Sequence, residues 1–205
     1  MIEIIPVKYG KSFLPGNMVF DKGNFEEKYP IDFIVYLVKT DDKLILVDAG
    51  CETMPGFEMK DFTGSVKALN DIGISINDIT DVIITHAHHD HIECVKYFKN
   101  SVIHIQSDEM KLASEYLPSY LDIKPFDEEY KVCENIKVLK IGGHSVGSCI
   151  VEISDNIVIV GDECYLRVCI DKRIPTGASV CVEKSREFIN KYSNSKYKLL
   201  FSHCE

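Results

Sequence analysis

No apolar run in this 205-residue chain approaches the length needed to cross a bilayer as a helix. The opening segment, Met1 to Lys8, reads as a strand. It lacks the basic region, long apolar core and small-residue cleavage site of a secretory signal. A cytoplasmic location is therefore the default expectation, with no membrane partner. Basic residues are not in excess either, since the formal net charge is −9. Loose binding to nucleic acid needs a basic footprint, so the balance argues against a nucleic-acid partner. An anionic small molecule stays open, because bound divalent cations can dominate the field of a site. The eight cysteines include no Cys-x-x-Cys pair, which argues against a thiolate zinc knuckle. They read instead as reduced thiols acting as small apolar residues. There is no internal repeat, low-complexity stretch or Pro/Gly/Ser-rich linker, so a single domain over 1–205 is expected.

What is present is the profile of a globular protein, with 45% hydrophobic and 27% charged residues. Such a length buries a sizeable core without staples. Ile2 to Ile5 opens as a strand. Phe33 to Val38 and Leu44 to Val47 are β-branched runs separated by the polar turn Thr40-Asp41-Asp42-Lys43, which predicts a hairpin. A helix is expected at about Asp61 to Ile72, with Val66, Leu69 and Ile72 at helical spacing and Gly73 as a stop. Further strands are expected at Val82 to Thr85, Val102 to Ile105, Ile136 to Ile141, Cys149 to Ile153, Ile157 to Val160 and Lys198 to Ser202. Helices are expected near Ser107 to Tyr116 and Ser179 to Tyr192. The alternation in both halves suits an α/β architecture of two packed sheets with helices outside.

One run dominates the chemistry. His86-Ala87-His88-His89-Asp90-His91 follows a short apolar strand. Imidazole and carboxylate are the natural ligands of zinc, iron and manganese. Four such groups in one tight turn can address two ions. An affinity tag would be terminal and uniform, whereas this run is internal and contains an aspartate. Of the seven histidines four lie here, while His144 and His203 each end a strand, as Asp162 does. Ligand-type residues at strand ends can converge on one edge of a sheet. His104 lies mid-strand among apolar residues and reads as a packed or surface histidine.

This ordered set, HxHxDH followed by His144, Asp162 and His203, resembles the signature of the metallo-β-lactamase superfamily. Leu46-Val47-Asp48-Ala49-Gly50 resembles that superfamily's earlier Asp-x-Gly turn. The resemblance spans Asp48 to His203. It implies an αββα sandwich of two mixed sheets with outer helices. It also implies two divalent metal ions, zinc first, with iron and manganese served by the same donors. One ion would take His86, His88 and His144, the other Asp90, His91 and His203, and Asp162 would bridge them. His89 falls at the motif's variable position and is not a ligand. Asp48 would orient a ligand, or simply form the turn before Gly50.

The resemblance further implies hydrolysis of an ester-like bond in a small-molecule substrate by a metal-bridging hydroxide, with Asp90 handling the proton. Asp162-Glu163-Cys164-Tyr165 resembles the Asp-x-x-Tyr of the N-acyl-homoserine lactone lactonase branch, where the tyrosine contacts the lactone carbonyl. Tyr165 then stabilises the developing oxyanion, or is a packing aromatic near the site. The chain departs from that branch at Ile92-Glu93-Cys94, where small residues are usual, and at Ser145-Val146 in place of Thr-Pro. Phosphodiester or thioester hydrolysis is the alternative within the superfamily. A non-hydrolytic metal sensor or redox protein is the alternative outside it. Cys51, Cys94, Cys164 and Cys204 sit within three residues of these positions, and they read as core packing or as oxidation-sensitive thiols.

Overall fold

A computed structural model of the chain describes residues 2–204. In chain order it contains β1 (Glu3–Pro15), α1 (Gly16–Val19), β2 (Lys28–Lys39), β3 (Leu44–Val47), α2 (Ser65–Asp71) and β4 (Asp81–Ile84). Next come α3 (His89–Ile92), β5 (Val102–Gln106), α4 (Ser107–Leu112), β6 (Asp122–Phe126), β7 (Glu129–Cys133) and β8 (Ile136–Lys140). The chain closes with β9 (Cys149–Ile153), β10 (Ile157–Ile159), α5 (Arg167–Lys172), α6 (Val182–Tyr192) and β11 (Lys198–Leu200). These form two mixed sheets with helices, as expected, and the described residues group into two compact units. Among the described residues no helix is long and apolar enough to cross a membrane.

The first unit comprises Met1–Lys11 and Phe33–Phe126. Apart from residues 12–32, the sheet ordered β1-β2-β3-β4-β5-β6 lies in it. The expected hairpin forms: β2 and β3 pair antiparallel with Tyr36 opposite Val47 and Lys39 opposite Leu44. Its turn closes because the Lys43 N–H donates to Thr40 Oγ1 at 3.0 Å while the Thr40 N–H donates to the Lys43 carbonyl at 2.9 Å. From β3 onward the pairing is parallel, β3 to β4, β4 to β5 and β5 to β6. The β4 run is buried at every position, as a parallel strand covered on both faces must be. Leu46, Ile83 and Ile103 are fully buried, and each contributes roughly 1.5–3 kcal/mol of burial free energy. Because β3, β4 and β5 run the same way, the segments after Val47, Ile84 and Gln106 all leave from one edge of the sheet.

The second unit comprises Ser12–Asp32 and Asp127–Glu205. Its sheet is ordered β11-β10-β9-β8-β7. Strands β7 to β10 form an antiparallel meander, and β11 joins β10 in parallel. Strands β8, β10 and β11 therefore share a direction, and the segments bearing His144, Asp162 and His203 leave from one edge. Helix α6 buries Phe188, Ile189 and Tyr192, and the Tyr192 hydroxyl donates to Glu152 at 2.7 Å.

Several expected bounds shift. The helix expected from Asp61 begins only at Ser65, because Asp61 (φ 48°) and Gly64 (φ 79°) hold the preceding chain in left-handed conformations. Gly73 (φ 80°) does end that segment, although Ile72 is already outside the helix. The helix after β5 stops at Leu112 rather than Tyr116, and α6 starts at Val182 rather than Ser179. Strands β6 and β7 and helices α1 and α5 have no counterpart among the expected elements. Four of the five β6 residues are not buried, so no apolar pattern marks the strand.

His104 is buried within β5, and its Nε2 lies 2.8 Å from Asp81 Oδ1. Asp81, itself buried, also accepts from Lys43 Nζ at 2.8 Å and Thr80 Oγ1 at 2.7 Å. Burial pushes the Asp81 carboxyl upward, but the hydrogen bonds from His104, Lys43 and Thr80 outweigh it and hold the group well below the usual carboxylate range. A lowered folded-state pKa stabilises the fold above the ordinary carboxylate value, and that contribution fades as pH falls toward the folded value. Asp81→Ala is expected to cost about 3 kcal/mol in urea unfolding at neutral pH, since it strands the partners of a buried ion pair. The deficit should shrink as the pH is lowered through the acid range.

Candidate metal centre

In the first unit the His86–His91 run starts two residues beyond the end of β4, after Thr85, on the edge where β3 also ends. Asp48 follows β3 with φ at 63°, a conformation that costs a non-glycine residue about 1–3 kcal/mol. Its carboxylate repays that strain. Oδ1 accepts from the Thr85 N–H at 2.8 Å and from Thr85 Oγ1 at 2.9 Å, and Oδ2 lies 2.8 Å from His91 Nδ1. An ionised carboxylate only accepts, so the contact assigns the proton to His91 Nδ1 and leaves Nε2 with its lone pair. That is the usual arrangement behind a metal-ligating histidine. His91 Nε2 is 3.5 Å from Asp90 Oδ2. His86 Nε2 and His88 Nδ1 face each other at 3.0 Å, with ring centroids 4.5 Å apart. Four nitrogen and oxygen donors of this kind suit a divalent cation.

His89 differs from its neighbours. Its Nδ1 lies 3.1 Å from the Tyr116 hydroxyl and its Nε2 lies 2.9 Å from the Thr53 carbonyl, so both nitrogens are engaged by groups outside the donor set. The ring lines an open cleft of about 540 Å³ together with Glu93, Tyr116 and Tyr120.

In the second unit a single carboxylate addresses two imidazoles. Asp162 Oδ1 lies 3.0 Å from His203 Nε2, and its Oδ2 lies 3.6 Å from His144 Nε2. His203 Nδ1 is 2.9 Å from the Asp32 carbonyl, so that nitrogen donates and Nε2 faces the carboxylate. Tyr165 is buried, with its ring centroid 5.7 Å from that of His144 and 5.3 Å from that of His203. This set too has the chemistry of a cation site.

Two supports were invisible in the sequence. Thr85 presents both its N–H and its hydroxyl to Asp48. Glu163 is fully buried and gathers the Gly143 N–H (3.2 Å), the His144 N–H (3.3 Å) and the Ser148 hydroxyl on Oε1. Burial pushes the Glu163 carboxyl up to about 7 against the pull of these donors. The close approach requires glycine at 143, because a Cβ there would strike Glu163 and Ser185. No residue pattern marks Glu163 as buried, since it sits in a polar Gly-Asp-Glu turn.

All eight cysteines are free thiols, and Cys51, Cys94, Cys149, Cys164 and Cys169 are buried. Burial pushes the Cys51 thiol up to about 12 and raises Cys94 as well. Thiolate, the oxidisable form, is therefore scarce at neutral pH at these two positions.

A family model described as the metallo-beta-lactamase superfamily matches residues 35–202. A probable metallo-hydrolase of Methanocaldococcus jannaschii is 30% identical over 138 residues, covering 67% of this chain and 63% of that protein. An N-acyl homoserine lactonase of Agrobacterium fabrum is 26% identical over 171 residues, covering 63% of this chain and 62% of that protein. The matches thus span less than two thirds of these relatives' own length. A solved N-acyl homoserine lactone hydrolase, holding the product N-hexanoyl-L-homoserine at its catalytic metal centre, superposes with a TM-score of 0.86. It is 21% identical, and the match covers 98% of this chain and 92% of that one. At that identity the likeness shows a shared fold.

Asp48→Asn tests the support behind His91. Asparagine tolerates the positive φ but lacks the carboxylate's charge. Chelator-competition titration is expected to show metal affinity weakened by about 10–100-fold, the usual effect of losing such a partner.

Proposed function

The chain belongs to the metallo-beta-lactamase superfamily, and on that footing we propose that it is a single-domain, cytoplasmic, dinuclear metal-dependent hydrolase of a small-molecule ester-like bond, with lactones first among its substrates. In this reading His86, His88 and His144 hold one ion, Asp90, His91 and His203 hold the other, and Asp162 serves both. Zinc is the first choice of metal, and iron and manganese suit the same donors.

The observation that carries the reading is the Asp162 carboxylate, whose two oxygens point to two different imidazoles. A carboxylate that served one ion or one hydrogen bond would not need both oxygens so directed. The Nδ1 contacts of His91 and His203 support it, because each puts the ring proton on Nδ1 and so leaves the lone pair, the metal-binding form, on Nε2. The relatives named as a metallo-hydrolase and a lactonase support it in kind.

Two divalent ions held there supply Lewis-acid polarisation of the substrate oxygen and a water acidified toward neutral pH. The chain's own residues do the rest. Asp90 accepts the proton released as the nucleophile adds, and passes it to the leaving oxygen. The Tyr165 phenol donates a hydrogen bond to the oxygen on which charge develops. Its burial makes that bond stronger than it would be in water, because the surroundings screen it less.

Metal analysis of the purified protein, followed by a panel of lactones, thioesters and phosphodiesters, tests the proposal. Two equivalents of metal per chain and turnover of a lactone are expected. Asp162→Ala should lose metal and activity together, and full retention of both sinks the dinuclear reading. Tyr165→Phe should lower kcat on the lactone by about 10²-fold with metal content unchanged. Unchanged kcat removes the oxyanion role.

A further inference from the structure

Two buried polar side chains that the proposed chemistry leaves idle grip the backbone of the His86–His91 run. Glu109 stands in the first turn of α4 and is 1% exposed. Its Oε2 accepts the N–H of Ala87 at 2.8 Å. Ala87 lies between His86 and His88, so this bond anchors the His86–Ala87 peptide beside both imidazole-bearing residues. Tyr9 of β1 is 2% exposed, and its hydroxyl donates to the Asp90 carbonyl at 2.8 Å. Its ring is flanked by Phe33 and Phe62, with centroids 5.9 and 6.1 Å away.

The need for such clamps follows from local structure. The helix in the run, α3, is only four residues long. A single turn fixes several dihedrals for little hydrogen bonding and does not hold its own geometry. The N–H of Ala87 precedes that turn and has no partner within it. A third clamp is already in place, because the N–H groups of Ala49 and Gly50 reach the His91 carbonyl at 2.8 and 3.3 Å. Glu109 can reach the run because β5 is parallel to β4, so α4 starts on the edge where the run starts.

We propose that Glu109 and Tyr9 are positioning residues of the metal centre, holding the Ala87 N–H and the Asp90 carbonyl so that His86, His88 and Asp90 keep their directions toward the ions. This rests on the two-metal reading above. The opposing view is that both merely satisfy buried polar groups and stabilise the fold.

Cobalt(II) separates the two views, because its visible spectrum reports coordination geometry apart from activity. Apoprotein of the wild type, Tyr9→Phe, Glu109→Ala, Glu109→Gln and Asp81→Ala should be titrated with the ion while thermal unfolding is followed in parallel. Asp81→Ala, at the end of β4 away from the run, is the reference for destabilisation. Glu109→Ala and Tyr9→Phe are expected to bind cobalt about 10-fold more weakly and with an altered spectrum. Glu109→Gln, whose amide oxygen can still accept from Ala87, should return near to wild type. If Tyr9→Phe and Glu109→Ala lower Tm as Asp81→Ala does but keep the wild-type spectrum and affinity, the positioning role is overturned. If the wild type itself takes up less than two equivalents, the two-metal reading fails and this proposal falls with it.

Discussion

Asp48 spends one carboxylate on three donors. Thr85 supplies two of them from the end of β4, and His91 supplies the third from the far end of the histidine run. The hydrogen bonds hold a residue of positive φ in place just after β3 and set the tautomer of a candidate ligand at the same time. Removing the carboxylate would leave a left-handed residue without compensation and would free His91 to rotate. The rest of the run is built around that anchor. Ala49 and Gly50, the next two residues, donate to the His91 carbonyl, and the Gly50 carbonyl accepts from Cys94 just beyond.

The second unit solves the same problem with other residues. Glu163 has the part there that Asp48 has in the first unit, as a buried carboxylate that collects backbone N–H groups beside a candidate ligand. The Asp32 carbonyl does for His203 what Asp48 does for His91, fixing Nδ1 as the donor. In both units the imidazole that would bind metal is thus held from behind, and its outward nitrogen is set before any ion arrives. Pre-organisation of this kind lowers the ordering cost of binding. It also accounts for the burial of several histidines and carboxylates in an otherwise largely apolar interior.

The candidate donor residues were legible, and for a definite reason. The run is contiguous, and His144, Asp162 and His203 each stand just past an apolar strand, so their types and order can be seen without knowing the fold. The hairpin was legible because alternation and a polar turn are local signals. Helix starts were less so: nothing in Asp61 or Gly64 reveals a positive φ until the loop is seen. Strand β6 was missed because it lies at the sheet edge and is largely exposed, so it carries no apolar pattern.

The supports, by contrast, belong to tertiary structure. Asp48 and His91 are 43 residues apart, Ala87 and Glu109 are 22 apart, and Tyr9 and Asp90 are 81 apart. Each pair meets because of strand direction and register, which composition does not encode locally. Asp48, the histidine run and Glu109 share an edge only because β3, β4 and β5 are parallel neighbours. By itself the sequence determined which donors exist and that they suit divalent cations. The fold decided which nitrogen of His91 and of His203 faces outward, since a tautomer depends on a partner that only three-dimensional pairing can bring within hydrogen-bonding reach.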